Sequence, residues 1–113
     1  MIPKPQKHKS RRKKAVEIPQ IKESIMQTEK KCYITGRIDN LHQHHIYFGK
    51  NREISDKYGF WVWLTGEYHN QDSRKDVHHN RSFDLQLKED CQRKFEQTYT
   101  REQFRKLIGK SYL

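Results

Sequence analysis

The sequence predicts a small α+β domain, with β segments in its middle third and helices towards its C-terminus. Three observations carry this reading. Phe60-Trp61-Val62-Trp63-Leu64 is a run of five apolar residues, mostly aromatic or β-branched, as in a short buried strand. Phe83, Leu87, Cys91 and Phe95 recur every four residues and form one apolar helical stripe. Thr100-Arg101-Glu102-Gln103 fits a capping box, followed by Phe104, Leu107 and Ile108 on one helix face.

Residues 1–14 hold Lys4, Lys7, Lys9, Arg11, Arg12, Lys13 and Lys14 and no acid. They form a basic tail that is expected to be disordered in isolation. Residues 15–113 are expected to form one domain. Ile21, Ile25 and Met26 suit a short helix after Pro19, or equally a lead-in strand. Cys32-Tyr33-Ile34-Thr35-Gly36 reads as an extended piece ending in a turn, and Asp39-Asn40 marks another turn. Ile46-Tyr47-Phe48 is β-prone, and residues 50–59 read as a polar loop closing at Gly59. Thr65 is a candidate N-cap for a short helix over 66–71, with Glu67 in its first turn. Residues 71–80 read as loop. Ser82 or Asn80 caps the longer helix, and Gly109 stops the last one.

The chain has 113 residues, of which 32% are hydrophobic, and a formal charge of +10. Seven of those charges lie in residues 1–14, which leaves +3 for the rest. A basic tail favours a polyanion such as nucleic acid. No apolar run approaches the roughly 20 residues of a membrane-spanning helix. The first residues lack the apolar stretch of a secretory leader, so the cytoplasm is the expected compartment. Cys32 and Cys91 are too few for a disulfide framework and read as small core residues. Trp61 and Trp63 read as core rather than as stacking platforms. No glycine-rich phosphate loop or serine-nucleophile motif is present.

Histidine carries the chemical signal. Six of the seven histidines fall between residues 42 and 79: His42, His44, His45, His69, His78 and His79. Imidazole is both the commonest metal ligand and a general base suited to neutral pH. On an extended strand neighbouring side chains point to opposite sides. One member of the His44-His45 pair can then face a metal while the other faces a water. Lys50, Arg52, Arg74, Lys75 and Arg81 flank the histidines as candidate phosphate contacts, joined by Arg11, Arg12, Lys13 and Lys14 of the tail.

Two motifs together resemble a known family. Leu41-His42-Gln43-His44-His45-Ile46, then Trp63-Leu64-Thr65-Gly66-Glu67-Tyr68-His69-Asn70, are similar to the HNH nucleases, especially the small bacteriophage proteins of that family. The resemblance covers about residues 32–80, and Asp76-Val77-His78 resembles a further element of the phage group. It implies a ββα-metal core, with helices at 82–109 added to it. It implies His44, His69 and His78 as ligands of one divalent cation, Mg²⁺, Mn²⁺ or Zn²⁺, and His45 as general base. His79 matches the motif less well. The family's middle asparagine falls near Phe60, so Asn51 or Asn70 is the expected substitute. A structural zinc is not expected, because Thr35, Gly66 and Tyr68 stand for three of its four cysteines.

The function expected is metal-dependent hydrolysis of DNA, with phage or host recombination or packaging proteins as partners. The alternative is a nucleic-acid-binding module without catalysis. A third class is a purely structural phage component.

Overall fold

Two five-residue strands organise the protein, β1 (Leu41–His45) and β2 (Trp61–Thr65). The computed structural model describes residues 18–113; the basic tail, with Arg11, Arg12, Lys13 and Lys14, lies outside the described residues. The strands pair antiparallel, with His44 opposite Val62 and His42 opposite Leu64. Side chains alternate along each strand, so His42 and His44 share a face with Val62 and Leu64. Val62 and Leu64 are fully buried, which makes this the core face. Gln43 and His45 share the other face with Trp63 and Trp61. The strand ends at His45, earlier than the β-prone Ile46-Tyr47-Phe48 suggests. Ile46 still donates its N–H to the Phe60 carbonyl at 2.9 Å, so the pairing outlasts the strand by one residue.

A turn of 3-10 helix (Gly49–Asn51) leads into α1 (Arg52–Tyr58). The polar loop expected over 50–59 is therefore corrected to a helix. Its inward face is Ile54, Ser55 and Tyr58, and the fully buried residue among them is a serine. Ser55 Oγ donates to the Tyr47 carbonyl (2.6 Å) and accepts from the Tyr47 N–H (3.1 Å). A buried polar side chain that satisfies two backbone groups helps hold the helix, yet leaves no apolar stripe to read.

After β2 comes α2 (Gly66–His69), shorter than the 66–71 expected. Then follow α3 (Arg81–Phe95) and α4 (Arg101–Ile108). Asn80, rather than Ser82, caps α3 by accepting from the Phe83 N–H at 3.1 Å. The capping box of α4 forms as expected: Thr100 Oγ1 accepts from the Gln103 N–H, and Gln103 Oε1 from the Thr100 N–H. Gly109 ends it in the left-handed conformation. Helix and strand residues meet in one core, with Tyr47, Phe60, Leu87, Cys91, Phe95 and Phe104 at its centre. The Phe60 ring meets Phe95 edge-on at 5.7 Å and Tyr47 at 5.6 Å.

Residues 18–31 form neither a helix nor a strand. They run as bends beside β2. Ser24 Oγ donates to the Trp61 carbonyl (2.5 Å), Gln27 Oε1 accepts from the Trp63 N–H (2.7 Å), and the Tyr33 N–H donates to the Trp63 carbonyl (2.8 Å). Cys32 Sγ accepts from the Thr65 N–H (3.4 Å). Ile21 and Ile25 donate their N–H groups to the carbonyls of Lys57 and Gly59.

Gly59 makes that last contact possible. Its φ of +76° suits glycine, and a Cβ there would overlap the Glu23 carbonyl oxygen and meet the Ile25 nitrogen at 3.2 Å. Gly59→Ala is expected to destabilise the fold by about 1–3 kcal/mol, seen as a lower urea midpoint without a change of slope.

Candidate metal centre

Three imidazoles converge on the core side of the sheet: His44 from β1, His69 from the end of α2 and His78 from the loop before α3. One ligand atom from each lies within 4.8 Å of the others. Among the described residues this is the one group of three or more His, Cys, Asp or Glu side chains close enough to hold an ion. The ring centroids are 5.3 Å (His44–His69), 5.4 Å (His44–His78) and 4.9 Å (His69–His78) apart. His69 Nε2 and His78 Nε2 are 3.3 Å apart. Two imidazole nitrogens on one tetrahedral zinc sit roughly 3.3 Å apart, from Zn–N distances near 2.0–2.1 Å. That pair already has ligating separation.

Each histidine is placed by its own element. The β1–β2 register turns His44 inward, where it is 2% exposed. Its Nε2 is buried without a hydrogen-bond partner. A buried nitrogen left so normally costs about 1–3 kcal/mol, and an ion is the partner that would satisfy it. His69 is fixed from behind, because His42 Nδ1 lies 3.0 Å from His69 Nδ1. This leaves His69 Nε2 facing His78, as when a second hydrogen bond selects the ligating nitrogen. His78 rides on a loop held by the Val77 N–H, which donates to the Tyr68 carbonyl at 2.7 Å. Asp76, fully buried, accepts from the His79 N–H (2.9 Å) and pairs with His79 Nδ1 (2.8 Å). His79 is thereby bound to Asp76 and does not join the cluster.

The electrostatics favour the metal-ready form. Burial, then the neighbouring His69, His78, Lys88 and His45, pushes the His44 pKa down to about 3. Burial, then His78 and His42, pushes His69 down to about 4, against an opposing pull from Asp76. Both rings are neutral at pH 7, the state that coordinates a metal.

The other expected residues are dispersed. His45 lies on the opposite strand face, with Nε2 3.3 Å from Asp56 Oδ1 of α1. Lys50 and Arg52 line an open groove with His45 and Asp56. Asn51 donates from Nδ2 to the Ile108 carbonyl at 3.0 Å, so its side chain holds the end of α4. Asn70 is exposed and follows His69 at the end of α2. Arg74 pairs with Asp72 within its own loop, and Lys75 reaches back to Glu67 of α2. Arg81 is exposed at the start of α3.

Thr65 Oγ1 lies 3.8 Å from Cys32 Sγ. Gly66 sits where a Cβ would overlap Gln71 and Asn40. Tyr68 turns towards Phe83, ring centroids 6.3 Å apart. Burial raises the Cys32 thiol pKa, but hydrogen bonds from Thr35, Thr65 and Ile34 outweigh it and bring the value to about 7.

His42 and Lys88 are the residues that sequence reasoning passed over. His42 is two positions before His44, so strand alternation alone places them together. Lys88 comes from α3 and enters the site only once that helix is packed. Comparison with family models, with curated proteins and with solved structures finds no match for this chain.

Titration calorimetry with Zn²⁺ is expected to show one site, weakened at least tenfold by His44→Ala. The metal-free protein should also lose stability in acid. The unfolded chain binds protons at His44 and His69 near pH 6.5, the folded chain only near 3 and 4. The unfolded state holds more protons in between, so stability falls as pH drops from about 6.5 towards 3. Thermal unfolding in EDTA should show this slope, and His44→Gln should flatten it.

Proposed function

We propose that this protein is a metal-dependent endonuclease that hydrolyses DNA phosphodiester bonds, with the strand pair and α2 acting as a ββα-metal core. The observation that carries the reading is the three-imidazole cluster with its buried, unpartnered His44 Nε2. His44, His69 and His78 would hold one divalent cation. All-imidazole donors fit Zn²⁺ or another transition ion better than Mg²⁺. When bound, that ion supplies Lewis-acid stabilisation of charge on the phosphate oxygens.

The rest of the chemistry falls to the chain's own side chains. His45 is the general base. Asp56 beside its Nε2 orients the ring and leaves Nδ1 to take a proton from the attacking water. His45 is near enough to disfavour protonation of both His44 and His69. Lys50 and Arg52, in the groove with His45, would hold backbone phosphates, and the +10 charge steers the chain to DNA. Asn70 is the better substitute for the middle asparagine, because Asn51 is engaged with Ile108. Among the described residues no helix is long and apolar enough to cross a membrane. The cytoplasm, that of the host cell for a phage-encoded chain, with recombination or packaging proteins, is the setting this reading proposes.

A non-catalytic nucleic-acid-binding module is the second reading. The observation in its favour is that the His45 side chain is only 11% exposed and turned to Asp56. A plasmid-nicking assay with Mg²⁺, Mn²⁺ or Zn²⁺, controlled with EDTA, separates the two. Metal-dependent nicking is expected, and His45→Ala should lower its rate by about 10²–10⁴-fold while metal affinity stays unchanged. A wild type that binds DNA yet never nicks it would establish the second reading.

A further inference from the structure

Phe48 is the one exposed aromatic residue among the described residues, and it stands at the rim of the histidine cluster. It is 44% exposed, whereas Ile46 and Tyr47 just before it are buried. Its ring centroid is 6.3 Å from that of His44 and 6.0 Å from that of His78, tilted at 52° and 47°. Lys88 Nζ lies 4.1 Å from the ring centre, a cation–π contact. Lys88 is itself fixed, with Nζ 2.6 Å from Asp84 Oδ2 and a side chain only 9% exposed. The ring is therefore propped by an ammonium anchored in α3 and flanked by two of the three imidazoles.

Phe48 belongs neither to the hydrophobic core nor to the half-buried residues packed against it. Ile21, Ile34, Ile38 and Leu113 are also exposed, but they are aliphatic. Phe48 differs in combining a flat π-face, a supporting cation and a place beside the cluster. A nucleobase has the matching shape, because every base offers a π-face for stacking whatever its identity. In a continuous duplex both faces of a base are covered by its neighbours. Only an unpaired or flipped base can lie on the ring.

We propose that Phe48 is a stacking platform for an unpaired nucleobase next to the phosphate engaged at the histidine cluster. The favoured substrate is then DNA that is single-stranded at the point of cleavage, read without sequence preference. The proposal rests on the nuclease reading and adds the substrate class to it.

The test uses the full chain in EDTA, which prevents cleavage. The probes are a single-stranded oligonucleotide carrying 2-aminopurine and a fully paired duplex of the same length. The wild type is expected to bind the single strand more tightly and to quench 2-aminopurine fluorescence. Phe48→Leu, which keeps apolar bulk but loses the π-face, should weaken single-strand binding by about ten- to a hundredfold. It should also abolish the quench, while duplex affinity and, in separate titrations without EDTA, Zn²⁺ affinity stay as in the wild type, and the thermal midpoint falls by only a few degrees for the lost Lys88 contact. Phe48→Trp should restore both binding and quench. Wild-type binding and quench in Phe48→Leu would overturn the proposal, as would an equal loss on single strand and duplex. If the wild type still nicks plasmid DNA in those cases, the nuclease reading survives alone. A wild type that neither binds nor nicks any DNA overturns both.

Discussion

The register between β1 and β2 is the constraint on which the rest of the molecule depends. With His44 opposite Val62, one strand face carries His42 and His44 towards the core and the other carries Gln43 and His45 away from it. A slip of one residue would exchange the two sets, turning His45 inward and His44 out. Five-residue strands hold register weakly by their own ladder, so the restraint comes from the surroundings. Tyr47 and Phe60 lock the connected end of the pair into the aromatic core. Beyond them, Tyr47 Oη donates to the Lys88 carbonyl and ties the same point to α3.

That tie explains how a site can be shared by elements distant in sequence. α3 supplies Lys88 on the side of Phe48, and its start follows the loop that brings His78. The packing that buries Leu87 and Cys91 therefore also sets the mouth of the histidine cluster. The protein tolerates a buried imidazole with an unpartnered nitrogen and a buried Asp76 with one carboxylate oxygen likewise unpartnered. Each such group works against stability on the scale of about 1–3 kcal/mol. Trp61 Nε1 on the other strand face and Asp84 Oδ1 on α3 are also unpartnered, so what sets His44 apart is that its nitrogen lies within reach of two further imidazoles.

Much of this was legible in the sequence, and the exceptions have physical causes. The 60–64 block, the α3 stripe and the α4 capping box are local signals, and each became the expected element. α1 was hidden because Ser55, its buried residue, satisfies backbone groups and leaves no apolar period. The segment 18–31 was misjudged because its apolar residues pack at irregular spacing against other elements. His44, His69 and His78 were legible as a set through the motif and do converge. His42 could have been found from strand alternation alone. Phe48 and Lys88 could not, because their meeting depends on how α3 docks. Asn51 illustrates the opposite error, a polar residue near the site in sequence whose side chain serves a helix end instead.

The strap of residues 18–33 has one more consequence. Along the outer side of β2, the Trp61 carbonyl, both backbone groups of Trp63 and the Thr65 N–H are already engaged by Ser24, Gln27, Tyr33 and Cys32. Most of these partners are side chains, so the strand is finished without a third strand being added. At this edge the sheet cannot grow by capturing an extended peptide or a second copy's strand, which is the usual hazard of an exposed sheet edge. The edge of β2 has thus been closed by a segment with no regular structure of its own, which leaves β1 as the side on which a strand could still be added.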